Sequence, residues 1–175
     1  MKAAKLTRRT SRAAGVFAAA LSFVFLVGSS SHAEEELPVL ATGEASSSSL
    51  GDSYVEVHEA KRSPDSTYVQ VVWTIRARDG EFLSSHVSNE VYDYVGEGMS
   101  GITTLDEKGK MRYHPLRDDN EICICAGTYR PVDFITTVED QKSSPYWNSF
   151  MIPKNVSEIT LEVPGFKPAR NIPVK

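Results

Sequence analysis

Residues 68–78 read Tyr68-Val69-Gln70-Val71-Val72-Trp73-Thr74-Ile75-Arg76-Ala77-Arg78. Val69, Val71, Trp73 and Ile75 alternate with Gln70, Thr74 and Arg76, and Val72 is the one exception. A period of two with β-branched and aromatic residues is the pattern of a half-buried strand in an antiparallel sheet. Trp73 falls on the apolar side of that strand and is expected in the core rather than on a ligand platform.

The same pattern recurs on both sides. Tyr54-Val55-Glu56-Val57-His58 reads as a first strand, and Ser63-Pro64-Asp65 as the turn that follows. Phe82-Leu83 and residues 91–95 read as short strands, with a mobile glycine loop at Gly96, Gly98 and Gly101. Residues 102–105 and 110–116 form two strands across Asp106-Glu107-Lys108-Gly109, and the chain turns again over residues 117–120. Further strands are expected at 121–125, 132–138, 146–152, 157–163 and 172–174. In the stretch 157–163, Ile159, Leu161 and Val163 alternate with Glu158, Thr160 and Glu162. Sustained helical periodicity is absent from this part of the sequence, and turn signals come at short spacing. The expected fold is an all-β antiparallel β-sandwich.

The N-terminus has a different composition. Lys2, Lys5, Arg8, Arg9 and Arg12 precede an apolar run from Ala13 to Val27, and Ser31-His32-Ala33 offers small residues at the two positions a signal peptidase reads. That order is a secretory signal peptide over residues 1–33, cleaved after Ala33. The run is short for a membrane anchor, so no stable span is expected after cleavage. Residues 34–51 carry four acids, two glycines and the serine run Ser46 to Ser49, and read as a flexible Ser/Glu-rich linker. The β-sandwich domain is placed at 52–175, and the expected location is secreted or associated with a bacterial cell envelope.

Cleavage changes the charge. Of 19 basic side chains five leave with the leader, which leaves 14 against 23 acidic ones, a net charge of −9. Such a surface repels phosphate backbones, so nucleic acid is not an expected partner.

Met111 to Gly127 holds both cysteines, Cys123 and Cys125, with a dense charge cluster before them. In a strand these two point to one face, at the upper limit of disulfide reach unless the backbone twists or bulges. Outside the cell they either form a disulfide or remain a thiol pair available for redox chemistry or copper. Ile122 and Ile124 compete with them for the inward face, and a one-residue shift of register exchanges the two pairs. Arg117-Asp118-Asp119-Asn120-Glu121 invites a calcium reading, but Ile122 and Cys123 stand where ligand and glycine belong, so a hairpin turn is expected. Neither a metal nor another cofactor is expected.

Tyr146-Trp147-Asn148-Ser149-Phe150 is the one aromatic cluster with polar residues between, and Tyr146, Trp147 and Phe150 are the candidate ligand-binding residues. His58, His86 and His114 are scattered, and no serine or cysteine stands in a nucleophile context, so no catalytic residues are assigned.

Residues 102–174 carry a resemblance. The order Leu105-Asp106, Tyr113, Pro115-Leu116-Arg117-Asp118, the Cys123-Ile124-Cys125 pair and Val163-Pro164-Gly165-Phe166 with Pro168, Pro173 and Val174 resembles small immunoglobulin-like β-sandwich domains of secreted actinobacterial proteins. Some of those sit beside OmpA-type domains. The resemblance covers no OmpA-type segment, so a wall-anchoring role is not carried over. The first half of the chain matches that pattern less well, especially residues 84–98. The resemblance implies an immunoglobulin-like sandwich and assigns no catalytic residue. The expected function is a secreted non-enzymatic interaction module for a protein or a cell-envelope glycan. The alternatives are an extracytoplasmic redox or copper-handling protein using Cys123 and Cys125, or a hydrolase whose triad the sequence does not display.

Overall fold

The structure is a computed structural model that describes residues 37–78, 81–83, 101–127 and 137–175. The expected strand at 91–95, the glycines at 96 and 98 and His86 lie outside these residues, as do the expected leader and most of the expected strand at 132–138. Ten strands are described, in two antiparallel four-stranded sheets and one two-stranded ribbon.

The first sheet consists of β1 (Ala41–Glu44), β2 (Tyr54–Arg62), β3 (Tyr68–Arg76) and β8 (Ser143–Met151), in the order β1-β2-β3-β8. The second consists of β5 (Thr103–Asp106), β6 (Met111–Tyr113), β9 (Glu158–Glu162) and β10 (Ala169–Pro173), in the order β10-β9-β5-β6. The ribbon pairs β4 (Phe82–Leu83) with β7 (Thr137–Val138).

Alternation decides which side chains lie between the sheets. Val69, Val71, Trp73 and Ile75 of β3 are all fully buried, as expected. The antiparallel register sets Trp73 opposite Tyr146, Val71 opposite Asn148 and Val69 opposite Phe150. From the second sheet Ile159, Leu161 and Ile172 are buried in the same core. Each such side chain contributes about 1.5–3 kcal/mol through burial. The Trp73 and Tyr146 rings lie 5.1 Å apart, and the Trp73 indole N–H donates to Asn148 Oδ1 at 2.9 Å. That bond satisfies a donor and an acceptor which are both completely buried.

The linker expected over residues 34–51 is corrected for its described part. Residues 41–44 form β1, which pairs with β2 from Ala41↔Val57 to Glu44↔Tyr54. A 3-10 turn at Ser48–Leu50 follows, and Leu50 is buried in the core. The composition misled for a physical reason. Gly43 is in a strand because the chain passes close by there. A Cβ on it would collide with the Lys167 carbonyl. The serines are used as well: Ser46 donates from both its N–H and its hydroxyl to the Gly165 carbonyl, each at 2.8 Å. That carbonyl is presented by a turn with Pro164 and Gly165 at its centre, Gly165 taking φ of 84°. Together with the Lys167 N–H bonded to Glu44 O, these contacts cover the outer edge of β1.

Candidate functional site

The opposite edge of the first sheet, β8, is covered by residues 115–126. Just after β6 the chain leaves the second sheet and crosses to the first. Pro115 pairs with Phe150 and Cys125 with Asn148. Leu116 N–H donates to Ser149 O at 2.7 Å, Ser149 N–H to Ile124 O at 3.2 Å, and Ala126 N–H to Trp147 O at 2.8 Å. The strap is folded back on itself, because Ile124 N–H also donates to Leu116 O at 2.7 Å. Its tip is an aspartate turn. Asp118 Oδ1 accepts the N–H groups of Asn120 and Ile122, and Arg117 forms an ion pair with Glu121 across it. The carboxylate oxygen that a calcium reading would use is therefore occupied by backbone donors. The expected strand at 121–125 is instead a run of single bridges.

Cys123 and Cys125 are joined in a disulfide. Their Cα atoms are 5.4 Å apart, shorter than an extended strand gives across two residues, so the backbone is bent at Ile124. Both cysteines are 2% exposed. They have taken the inward face, and Ile122 and Ile124 are half-buried. The bridge fastens the strap that seals β8. Among the described residues no group of three or more His, Cys, Asp and Glu side chains is placed to hold a metal ion.

The aromatic cluster divides across the sheet. Tyr146 and Phe150 are buried on the inward side of β8 with Asn148 between them, so the structure does not bring the three candidate aromatics to one binding surface. The period of two that buries positions 146, 148 and 150 turns Trp147 outward, where it is 36% exposed. Met151, on the same outer face, is 59% exposed. On β3 their direct cross-strand partners are Val72 and Tyr68. Tyr68, Val72, Trp147 and Met151 thus form a stripe across two strands, about 13 Å from Trp147 to Met151 along β8. Tyr68 and Val72 were not singled out from sequence. Val72 was the exception in the alternation, and that exception is the signal that an apolar residue stands on the outer face. Tyr68 is held in place by a 2.7 Å hydrogen bond between its hydroxyl and that of Ser149. Leu116 and Ile124 are half-buried beside the stripe.

The outer face of the second sheet is different in kind. Arg112 pairs with Glu162 at 3.0 Å, Lys108 with Glu158 at 3.9 Å, and Arg170 with Glu107. Thr103 donates to Glu162 at 2.8 Å and Thr160 to Glu107 at 2.8 Å. Ion pairs and hydrogen bonds dominate this face, with the half-buried Leu105 among them.

Titratable groups near these faces have structural partners. His58 bulges from β2, with Nε2 2.8 Å from Thr74 Oγ1 and Nδ1 3.1 Å from the Pro38 carbonyl. A carbonyl can only accept, so Nδ1 carries a proton and donates to Pro38. His114 lies where the chain crosses between sheets; desolvation, then Arg112 and Arg117, hold its pKa below the usual histidine value. Burial pushes the Tyr146 hydroxyl up. Among the described residues no helix is long and apolar enough to cross a membrane. The chain matches no protein-family model, no curated protein and no solved structure.

Proposed function

We propose that the chain is an extracytoplasmic, non-enzymatic interaction module, exported by its leader, that binds a protein or glycan of the cell envelope through the outer face of its first sheet. One observation carries the reading. Trp147 stands outward on a strand whose neighbours at 146 and 148 are core residues, and Met151, Tyr68 and Val72 share its face. A tryptophan and a tyrosine on a flat sheet offer large apolar area at low entropic cost, and both stack on sugar rings or on peptide. The immunoglobulin-like description belongs to this proposal too. Trp73 in the core of a central strand supports it, whereas the disulfide lies within one strap instead of joining the two sheets.

Fluorescence tests the surface directly. Trp73→Phe leaves Trp147 as the one tryptophan. In the free domain its emission is quenched readily by acrylamide. Envelope fragments should reduce that quenching, and prior digestion of the fragments with protease or with glycan hydrolases identifies which component is bound. Quenching unchanged by every fragment preparation excludes this face as the binding surface.

A further inference from the structure

Beyond the Trp147 surface, a cleft of about 560 Å³ lies at the far end of the first sheet. It is lined by Thr42, Glu44, Asp52, Ser53, Tyr54 and Arg78, with small residues between. The Arg78 guanidinium lies over the Tyr54 ring, 4.7 Å from its centroid, and donates to the Tyr54 hydroxyl at 3.1 Å. Its backbone N–H is pinned by the buried Ser53, which accepts it at 3.0 Å. The cation is thus positioned by a ring and a turn, and among the described residues most of its five donors are left over.

Three charges line the cleft, and one is already neutralised. Glu44 is paired with Lys167 at 2.8 Å, and that ammonium holds its carboxyl below the usual carboxylate range. Asp52 and Arg78 remain. Among the described residues neither has an ion-pair partner, and they do not pair with each other although they line one cleft. Two exposed groups of opposite charge that line one cleft complement a ligand that carries both charges. Stacking of a sugar on Tyr54 is disfavoured on the ring face that Arg78 occupies.

We infer that this cleft binds a small zwitterion of the amino-acid or short-peptide class, with Arg78 taking the carboxylate through its paired N–H donors and Asp52 taking the ammonium. The site is separate from the Trp147 stripe, and its occupancy does not depend on the function proposed there.

The probe is L-alanyl-L-alanine, compared with its N-acetyl form, which lacks the ammonium, and its C-terminal amide, which lacks the carboxylate. Amide resonances of Ser53, Tyr54 and Arg78 are followed by NMR in the secreted protein. Saturable shifts with the dipeptide are expected, and each blocked form should bind at least about tenfold more weakly. Arg78→Gln should make the dipeptide and its amide bind alike, and Asp52→Asn should do the same for the dipeptide and its N-acetyl form. No saturable shift with the dipeptide overturns the inference. Equal binding of all three forms to the native protein also overturns it, and that comparison needs no variant to fold.

Discussion

Trp147 and Asn148 are adjacent in the chain and opposite in environment. Asn148 is completely buried, and its side-chain oxygen is the acceptor for the Trp73 indole. Trp147 faces out with a third of its surface exposed. One strand alternation separates a core residue from a candidate contact residue, which is why a cluster of aromatics in sequence did not become a cluster in space. His114 carries a prediction at this scale. Its folded pKa is lowered by desolvation and by two arginines. The unfolded chain then takes up its proton first, so stability is full above the unfolded value of about 6.5 and declines as pH falls through and below it. His114→Gln should flatten that decline. Urea midpoints measured at about pH 7 and about pH 5 check it. An equal drop in both proteins assigns the acid sensitivity to other groups.

Both outer edges of the first sheet are closed by chain that arrives from the second. Residues 165–169 cover β1, and residues 115–126 cover β8. An uncovered edge exposes a row of unpaired N–H and C=O groups and invites pairing with another chain. At β1 the closure depends on a missing side chain. Gly43→Ala drives a methyl group into the Lys167 carbonyl and should cost about 1–3 kcal/mol, read as a lower urea midpoint. An unchanged midpoint would mean the junction yields without loss. At β8 the closure depends on the disulfide. Closing so small a loop is worth about 1–2 kcal/mol in the chain-entropy account. Replacing Cys123 and Cys125 together by serine should lower stability by that amount and speed hydrogen exchange at the Ile124, Ala126 and Ser149 amides. The strands far from the strap, such as β10, keep their protection. Uniform acceleration across the domain would mean that the bridge supports the whole fold.

Across the whole molecule, the strands with strict alternation were legible from sequence. β3 and β9 repeat two-residue periods with β-branched residues, and their inward sides are the core. β1 was not legible, since its four residues Ala41, Thr42, Gly43 and Glu44 carry no large apolar side chain, and its place is fixed by backbone contacts with distant residues. The cysteine pair was legible as a pair. Its direction was not, because Ile122 and Ile124 alternate with it and only docking on β8 chooses between the two registers. The candidate surface was legible in one residue of three: Trp147 lies on it, while Tyr146 and Phe150 are core. Tyr68 and Val72 joined it only through the pairing of β3 with β8. The asymmetry of the two outer faces, ion pairs on one and an apolar stripe on the other, belongs to the assembled molecule alone.

The most direct test of that asymmetry is co-sedimentation of the purified domain with envelopes isolated from the cells that produce it. The native domain should pellet with the envelopes. Trp147→Ala should pellet at least about tenfold less well, as expected for an aromatic anchor at the centre of a contact. Arg112→Ala, on the opposite face, should behave like the native domain. Equal sedimentation of Trp147→Ala and the native domain, or failure of the native domain to sediment at all, would contradict the account.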